Sequence, residues 1–114
     1  MKKILICGAT GFIGRNLVEY FAKKDSIEVY AVWHKRASFE IGKVTWVHGD
    51  LRNAEDVERL VKGMDIIVQA AATTSGSKDI VNRPYIHVTD NAVMNSLLLR
   101  AAFDYHVENF VFFS

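Results

Sequence analysis

The sequence predicts an α/β fold on a doubly wound parallel sheet, strand order 3-2-1-4-5, and three observations carry that prediction. Short apolar runs alternate with amphipathic helical stretches along the whole chain, the pattern of strands joined by crossover helices. The runs are apolar at nearly every position, as in strands covered on both faces. The first run, Ile4-Leu5-Ile6-Cys7, leads straight into Gly8-Ala9-Thr10-Gly11-Phe12-Ile13-Gly14, a glycine-rich turn that opens a helix. Right-handed crossovers between parallel strands then leave that order as the natural one.

Each element has a local reason. Lys3–Cys7 reads as a buried strand. Gly11–Lys24 reads as a helix with Ile13, Leu17, Val18 and Phe21 on one face and Lys23-Lys24 at its negative end. Glu28–Trp33 and Val44–His48 are the second and third strands. Asn53 is placed to cap a helix whose apolar face is Val57, Leu60 and Val61, and Gly63 stops it. Asp65–Ala70 is the fourth strand. Pro84 can start a long helix to about Tyr105, with Val93, Met94, Leu97, Leu98, Ala101 and Ala102 on a broad apolar arc. Phe110–Phe113 is the fifth strand.

With 114 residues, half of them hydrophobic, the chain is at most one domain, with enough apolar material for a core. A net charge of +1 gives no reason to invoke nucleic acid or an anionic membrane. One cysteine excludes an internal disulfide and fits a reducing compartment; Cys7 lies inside the first strand and reads as a core residue. No signal peptide and no run long enough to span a membrane is visible, so a cytoplasmic location is expected. His34, His48, His87 and His106 lack metal-ligand spacing, and no metal site is expected.

The chemistry is concentrated at the glycine turn. Gly8 permits the tight turn off the strand, Gly11 lets the backbone approach a pyrophosphate, and Gly14 lets the helix pack closely. The helix N-terminus then faces the phosphates with its N–H groups and the positive end of its dipole. The spacing is G-x-x-G-x-x-G. The fold brings three further segments to the same crevice: Trp33-His34-Lys35-Arg36 after strand 2, Gly49-Asp50-Leu51 after strand 3, and Ala70-Ala71-Ala72-Thr73 after strand 4. Asp50 either accepts a hydrogen bond from an adenine amino group or serves only as a turn residue. The alanines either admit a ribose or nicotinamide, or pack tightly under the long helix. The polar loop Thr73–Lys78 either borders a substrate or is an ordinary surface connection.

The stretches KKILICGATGFIGRNL, HGDLR, DIIVQAAATT and TDNAVMNSLLLRAAFDYHVENFVFFS resemble the extended short-chain dehydrogenase/reductase family, in its NAD(P)-dependent epimerase/dehydratase branch, over essentially the whole chain. Within it, the segment TTSGSKDIVNRPYIHVTDNAVMNSLL looks most like GDP-fucose synthase-type enzymes. The resemblance implies a Rossmann-type domain, with Gly8, Gly11, Gly14, Phe12 and Ile13 lining the pyrophosphate, and Thr10 in the same turn. It also implies Asp50 and Leu51 on the adenine, Ala70, Ala71 and Ala72 on the ribose side, and Asn91 ordering the active site. Gln69 stands where many relatives have a histidine.

The resemblance further implies a Tyr-x-x-x-Lys pair for hydride transfer. None of Tyr20, Tyr30, Tyr85 and Tyr105 is expected to supply its tyrosine, so the chain is expected to be the N-terminal, cofactor-binding part, ending on strand 5, of a longer enzyme. The resemblance implies that the parent takes a nucleotide-sugar substrate and forms a homodimer through the long helix and the one that follows it in relatives. Relatives specific for NAD usually carry an acid at the end of strand 2. Here Trp33, His34, Lys35 and Arg36 stand there, and Arg15 follows the glycine turn, so NADP is expected rather than the alternative NAD. A non-catalytic, redox-sensing NAD(P)-binding regulator is the other reading of the same fold.

Overall fold

The computed structural model describes residues 1–35, 39, 41–71 and 85–113, with side chains omitted for residues 85–89. In chain order the elements are β1 (Lys2–Cys7), α1 (Phe12–Ala22), β2 (Ile27–Trp33), β3 (Val44–His48), α2 (Ala54–Val61), β4 (Ile66–Gln69), α3 (Tyr85–Asp104) and β5 (Asn109–Phe112). The strands form one sheet in the order β3-β2-β1-β4-β5, and every neighbouring pair is parallel. This is the expected Rossmann-type arrangement, with element ends shifted by one or two residues.

Strand geometry sends alternate side chains to opposite faces, and β1 feeds two cores accordingly. Leu5 and Cys7 point into a cluster with Leu51, Val57, Leu60, Val61, Met94, Leu98 and Ala101, which packs α2 and α3 on one face. Ile4 and Ile6 point into a cluster with Ala9, Val18, Val29, Ala31 and Val68, against which Leu17, Phe21 and Trp46 pack on the α1 face. Cys7 is fully buried, and burial pushes its thiol up to about 12, as befits a core residue. The helix ends follow their sequence signals. The Asn53 side chain accepts a hydrogen bond from the Asp56 N–H at 3.0 Å, and Gly63 ends the next turn with φ +86°.

Two expectations need correction. Ile13 is 44% exposed and does not join the buried face of α1. At that turn of the helix Gly14 faces inward, leaving Val18, with Leu17 and Phe21, to cover the sheet. On α3, Met94, Leu98, Ala101 and Ala102 are buried, whereas Val93 is exposed; the apolar groups left outside include Leu99 and Phe103. Pro84, expected to start that helix, lies outside the described residues.

All strands end on one edge. Trp33 pairs with His48, Cys7 with Gln69, and Gln69 with Phe112, so the loops that follow them meet along the carboxyl edge. The chain leaves β1 toward β2 and later returns to β4 on the other side. The crevice between those directions is where such sheets take ligands.

Candidate functional site at the carboxyl edge

The glycine turn is built by three different contacts. Gly8 sits at φ +76°, and a Cβ there would lie 2.5 Å from the Ala71 nitrogen and 2.6 Å from its Cα. Its absence of a side chain therefore serves both the turn and the close approach of the β4 end. A Cβ on Gly14 would lie 1.9 Å from the Gly8 carbonyl oxygen. The tight packing that Gly14 allows is thus of helix on turn, not of helix on sheet. Gly11 differs from both. Its backbone is extended (φ −79°, ψ 174°), a conformation open to any residue, and its Cβ would meet only the Gly8 oxygen at 3.4 Å.

Among the described residues, no contact requires glycine at position 11. It stands at the N-cap of α1, where no side chain caps the helix and no acid occupies the first turn. The leading N–H groups of a helix have no intrahelical partner and carry the positive end of its dipole. An anion approaching at Gly11 would find the space a Cβ would fill. The turn itself is closed by Gly11 N–H to Gly8 O at 3.1 Å and Arg15 N–H to Gly11 O at 2.8 Å. Thr10 is half-buried in it, and Phe12, 85% exposed, stands beside it.

On the β2–β3 side, the N–H of Gly49 bonds the Trp33 carbonyl at 3.0 Å, joining the two strand ends. The Trp33 and His48 rings lie 4.4 Å apart. Nε2 of His34 is 3.7 Å from the Asp50 carboxylate. Asp50 is held at both ends. Its N–H bonds the Asp56 carboxylate at 3.0 Å, while its own Oδ1 accepts from the N–H and Nε of Arg52 and its Oδ2 from Nη2. These bonds from Arg52 keep the Asp50 carboxyl below the usual aspartate range against the opposing effect of burial. Arg52 also reaches Asp90 at 3.4 Å, tying this loop to α3. Asp50 is therefore an oriented acceptor engaged by a cation, rather than an unpartnered one. Leu51 is only 6% exposed and packs in the core, so it presents main chain at the edge.

The basic residues expected near β2 are placed separately. The Arg15 guanidinium lies 4.4 Å from the centre of the Phe39 ring and 3.4 Å from Glu19. Lys35 is exposed. Ala70 and Ala71 are half-buried at the end of β4, and Asn91 is half-buried on α3. Arg36, Ala72 and the loop Thr73–Lys78 lie outside the described residues. Among the described residues no cluster of three His, Cys, Asp or Glu fits a metal, and no helix is long and apolar enough to cross a membrane.

Tyr20 and Lys24 do have Tyr-x-x-x-Lys spacing, a match that the expectation for the tyrosines does not count. Tyr20 is near the end of α1 far from the glycine turn and Lys24 lies just beyond that end, with Lys24 Nζ 4.8 Å from the Tyr20 ring centre. That places them away from the crevice. Sequence reasoning also missed Arg52, Asp90, Phe39 and Asn95. An Asp two residues before an N–H it can bond is a turn signal that would have found the Asp50–Arg52 contact. Asp90 is 38 residues from Arg52, and no local spacing announces it.

Residues 4–114 match the NAD dependent epimerase/dehydratase family. The GDP-L-fucose synthase of Azorhizobium caulinodans is 34% identical over 104 residues, 90% of this chain and 29% of that protein. The UDP-glucose 4-epimerase of Vibrio cholerae is 30% identical over 116 residues, 99% of this chain and 34% of that protein. A uronate dehydrogenase mutant from Agrobacterium tumefaciens, solved in complex with NAD, superimposes with a TM-score of 0.81 at 25% identity, covering 100% of this chain and 41% of that one. The chain thus spans about a third of the length of the relatives it matches. With the glycine turn, the strand order and this match over nearly every residue in agreement, the chain belongs to the NAD dependent epimerase/dehydratase family.

Proposed function

We propose that this chain is the dinucleotide-binding part of an NAD(P)-dependent epimerase, dehydratase or reductase acting on a nucleotide sugar. The observation that carries the reading is Gly11, a glycine that no packing among the described residues requires, at the N-terminus of α1, where the N-cap makes no side-chain hydrogen bond. The turn Gly8–Gly14 would cradle the pyrophosphate, Asp50 would take the adenine edge, and Ala70 and Ala71, with Ala72, would border the nicotinamide-side ribose. Asn91 would lie at the nicotinamide end. The nicotinamide ring, when bound, accepts and returns a hydride. The glycine turn, Asp50, Ala70 and Ala71 would bind and orient it, and the tyrosine–lysine pair would come from the rest of the parent. A cytoplasmic homodimer is part of the same reading.

Within that reading the preferred cofactor is NADP. The end of β2 carries Trp33, His34 and Lys35 and no acid to hold a ribose 2′-hydroxyl, and Arg15 follows the glycine turn. Arg15, with Lys35 or Arg36, supplies positive charge for a 2′-phosphate. Fluorescence titration should give tighter binding of NADPH than NADH, by about fivefold or more from one charged hydrogen bond. Arg15→Ala should erase most of that ratio. Tighter binding of NADH by the unsubstituted chain would reject the preference and leave the dinucleotide site standing.

A further inference from the structure

Gln69 is the buried polar residue among the described residues, 2% exposed at the end of β4 among otherwise apolar strand positions. A buried amide is unfavourable unless its donors and acceptor are paired, so its presence needs a reason. Both ends are engaged. Oε1 accepts from the N–H of Ala71 at 3.0 Å, and Nε2 donates to Oδ1 of Asn95 on α3 at 3.1 Å. The Ala71 N–H can only donate, so it fixes which end of the Gln69 amide faces it, and this in turn demands the Asn95 oxygen.

The position of Ala71 gives these bonds a consequence. The β1–β4 ladder continues to Ala70, whose N–H bonds the Cys7 carbonyl at 3.0 Å. Ala71 is the next residue, and its N–H is taken by the Gln69 side chain instead. Its nitrogen and Cα lie where a Cβ on Gly8 would be, at 2.5 and 2.6 Å. Main chain therefore faces main chain across the seam between the glycine turn and the β4 end. A leucine at position 69 would fill a similar volume and leave the Ala71 N–H without that partner.

We infer that Gln69 and Asn95 are a positioning pair for the dinucleotide: anchored on α3, they hold Ala71 against Gly8 and so set the gap on the nicotinamide side of the pyrophosphate. The inference rests on the dinucleotide reading above. Its signature is selective. ADP reaches the glycine turn and the adenine side, whereas NADPH and NADH also extend past Ala71.

The test compares ADP, NADH and NADPH binding, together with Tm, for the unsubstituted chain, Gln69→Leu, Gln69→His and Asn95→Ala. Gln69→Leu should weaken both dinucleotides about five- to tenfold, the scale of one lost buried hydrogen bond, with ADP changed less than about twofold. Asn95→Ala should shift the same ratio in the same direction. Gln69→His, which can accept with one ring nitrogen and donate with the other, should restore it. If Gln69→Leu does not fold, Asn95→Ala carries the comparison. An equal loss for ADP and the dinucleotides, or no loss, overturns the positioning role. Failure of the unsubstituted chain to bind any of the three overturns the dinucleotide reading itself, and this inference with it.

Discussion

Gly11 and Gly14 show how one residue type answers to two different demands three positions apart. At Gly14 the chain itself forbids a side chain, because a Cβ would collide with the Gly8 carbonyl. At Gly11 a Cβ would meet only the Gly8 oxygen, at 3.4 Å, among the described residues, which is why the proposed phosphate site is placed there. Asp50 carries a comparable lesson in electrostatics. Its carboxyl is lowered by the hydrogen bonds from Arg52, so its bound state favours the ionised form. A depressed folded value means that this pairing stabilises the protein above the ordinary aspartate value of about 3.9, and that the contribution is lost as pH falls through the lowered value. Arg52→Met should therefore lower stability at neutral pH, and its deficit relative to the unsubstituted chain should shrink as the solution is acidified. Urea denaturation at several pH values is the check; a deficit that stays constant into strong acid would mean that the pairing contributes nothing.

At the scale of elements, α3 separates what a pattern reveals from what it hides. Its length and its inward stripe of Met94, Leu98, Ala101 and Ala102 were legible, because helical spacing repeats every three to four residues. Which side of the broad arc would be covered was not. Apolar residues occur nearly all round this helix, and only the placement of β4, β5 and α2 decides between Val93 and Leu98. Leu98→Ala should cost about 2–5 kcal/mol, as for a buried leucine, whereas Phe103→Ala, at a position 81% exposed, should stay within about 0.5 kcal/mol. Thermal or chemical denaturation of the two variants would reverse the assignment if Phe103 proved the costlier. The glycine turn and strand order were legible for a different reason: each is fixed by short-range chemistry or by handedness. The Gln69–Asn95 and Arg52–Asp90 bonds were not, since each joins residues 26 or more positions apart that only the folded topology brings together.

For the whole molecule, the two cores leave apolar side chains exposed on several elements, α3 and β5 among them. Leu99 and Phe103 on α3 and Val111, Phe112 and Phe113 at β5 are all exposed, and β5 is one of the two edge strands of the described sheet. Edge strands and apolar helix faces favour association. The chain should therefore self-associate, with sedimentation velocity showing a concentration-dependent shift that Phe103→Lys reduces; a sharp monomer at high micromolar concentration would refute this. Leu98, although on the same helix, is too deeply buried to serve as the probe.

On the proposed function, the carboxyl edge of this sheet binds a dinucleotide through the glycine turn. The most direct measurement of that binding is calorimetric titration of NADPH and NADH into the unsubstituted chain and into Gly11→Val, with far-UV circular dichroism on both. The extended backbone at Gly11 is open to valine, and among the described residues a Cβ there would meet only the Gly8 oxygen at 3.4 Å, so the fold should persist at a cost of about 1 kcal/mol for the altered cap. On the proposed function the branched side chain would occupy the space of the phosphates, so dinucleotide binding by the variant should fall below detection. Unchanged affinity in a folded Gly11→Val chain would place the phosphate site elsewhere and contradict the account.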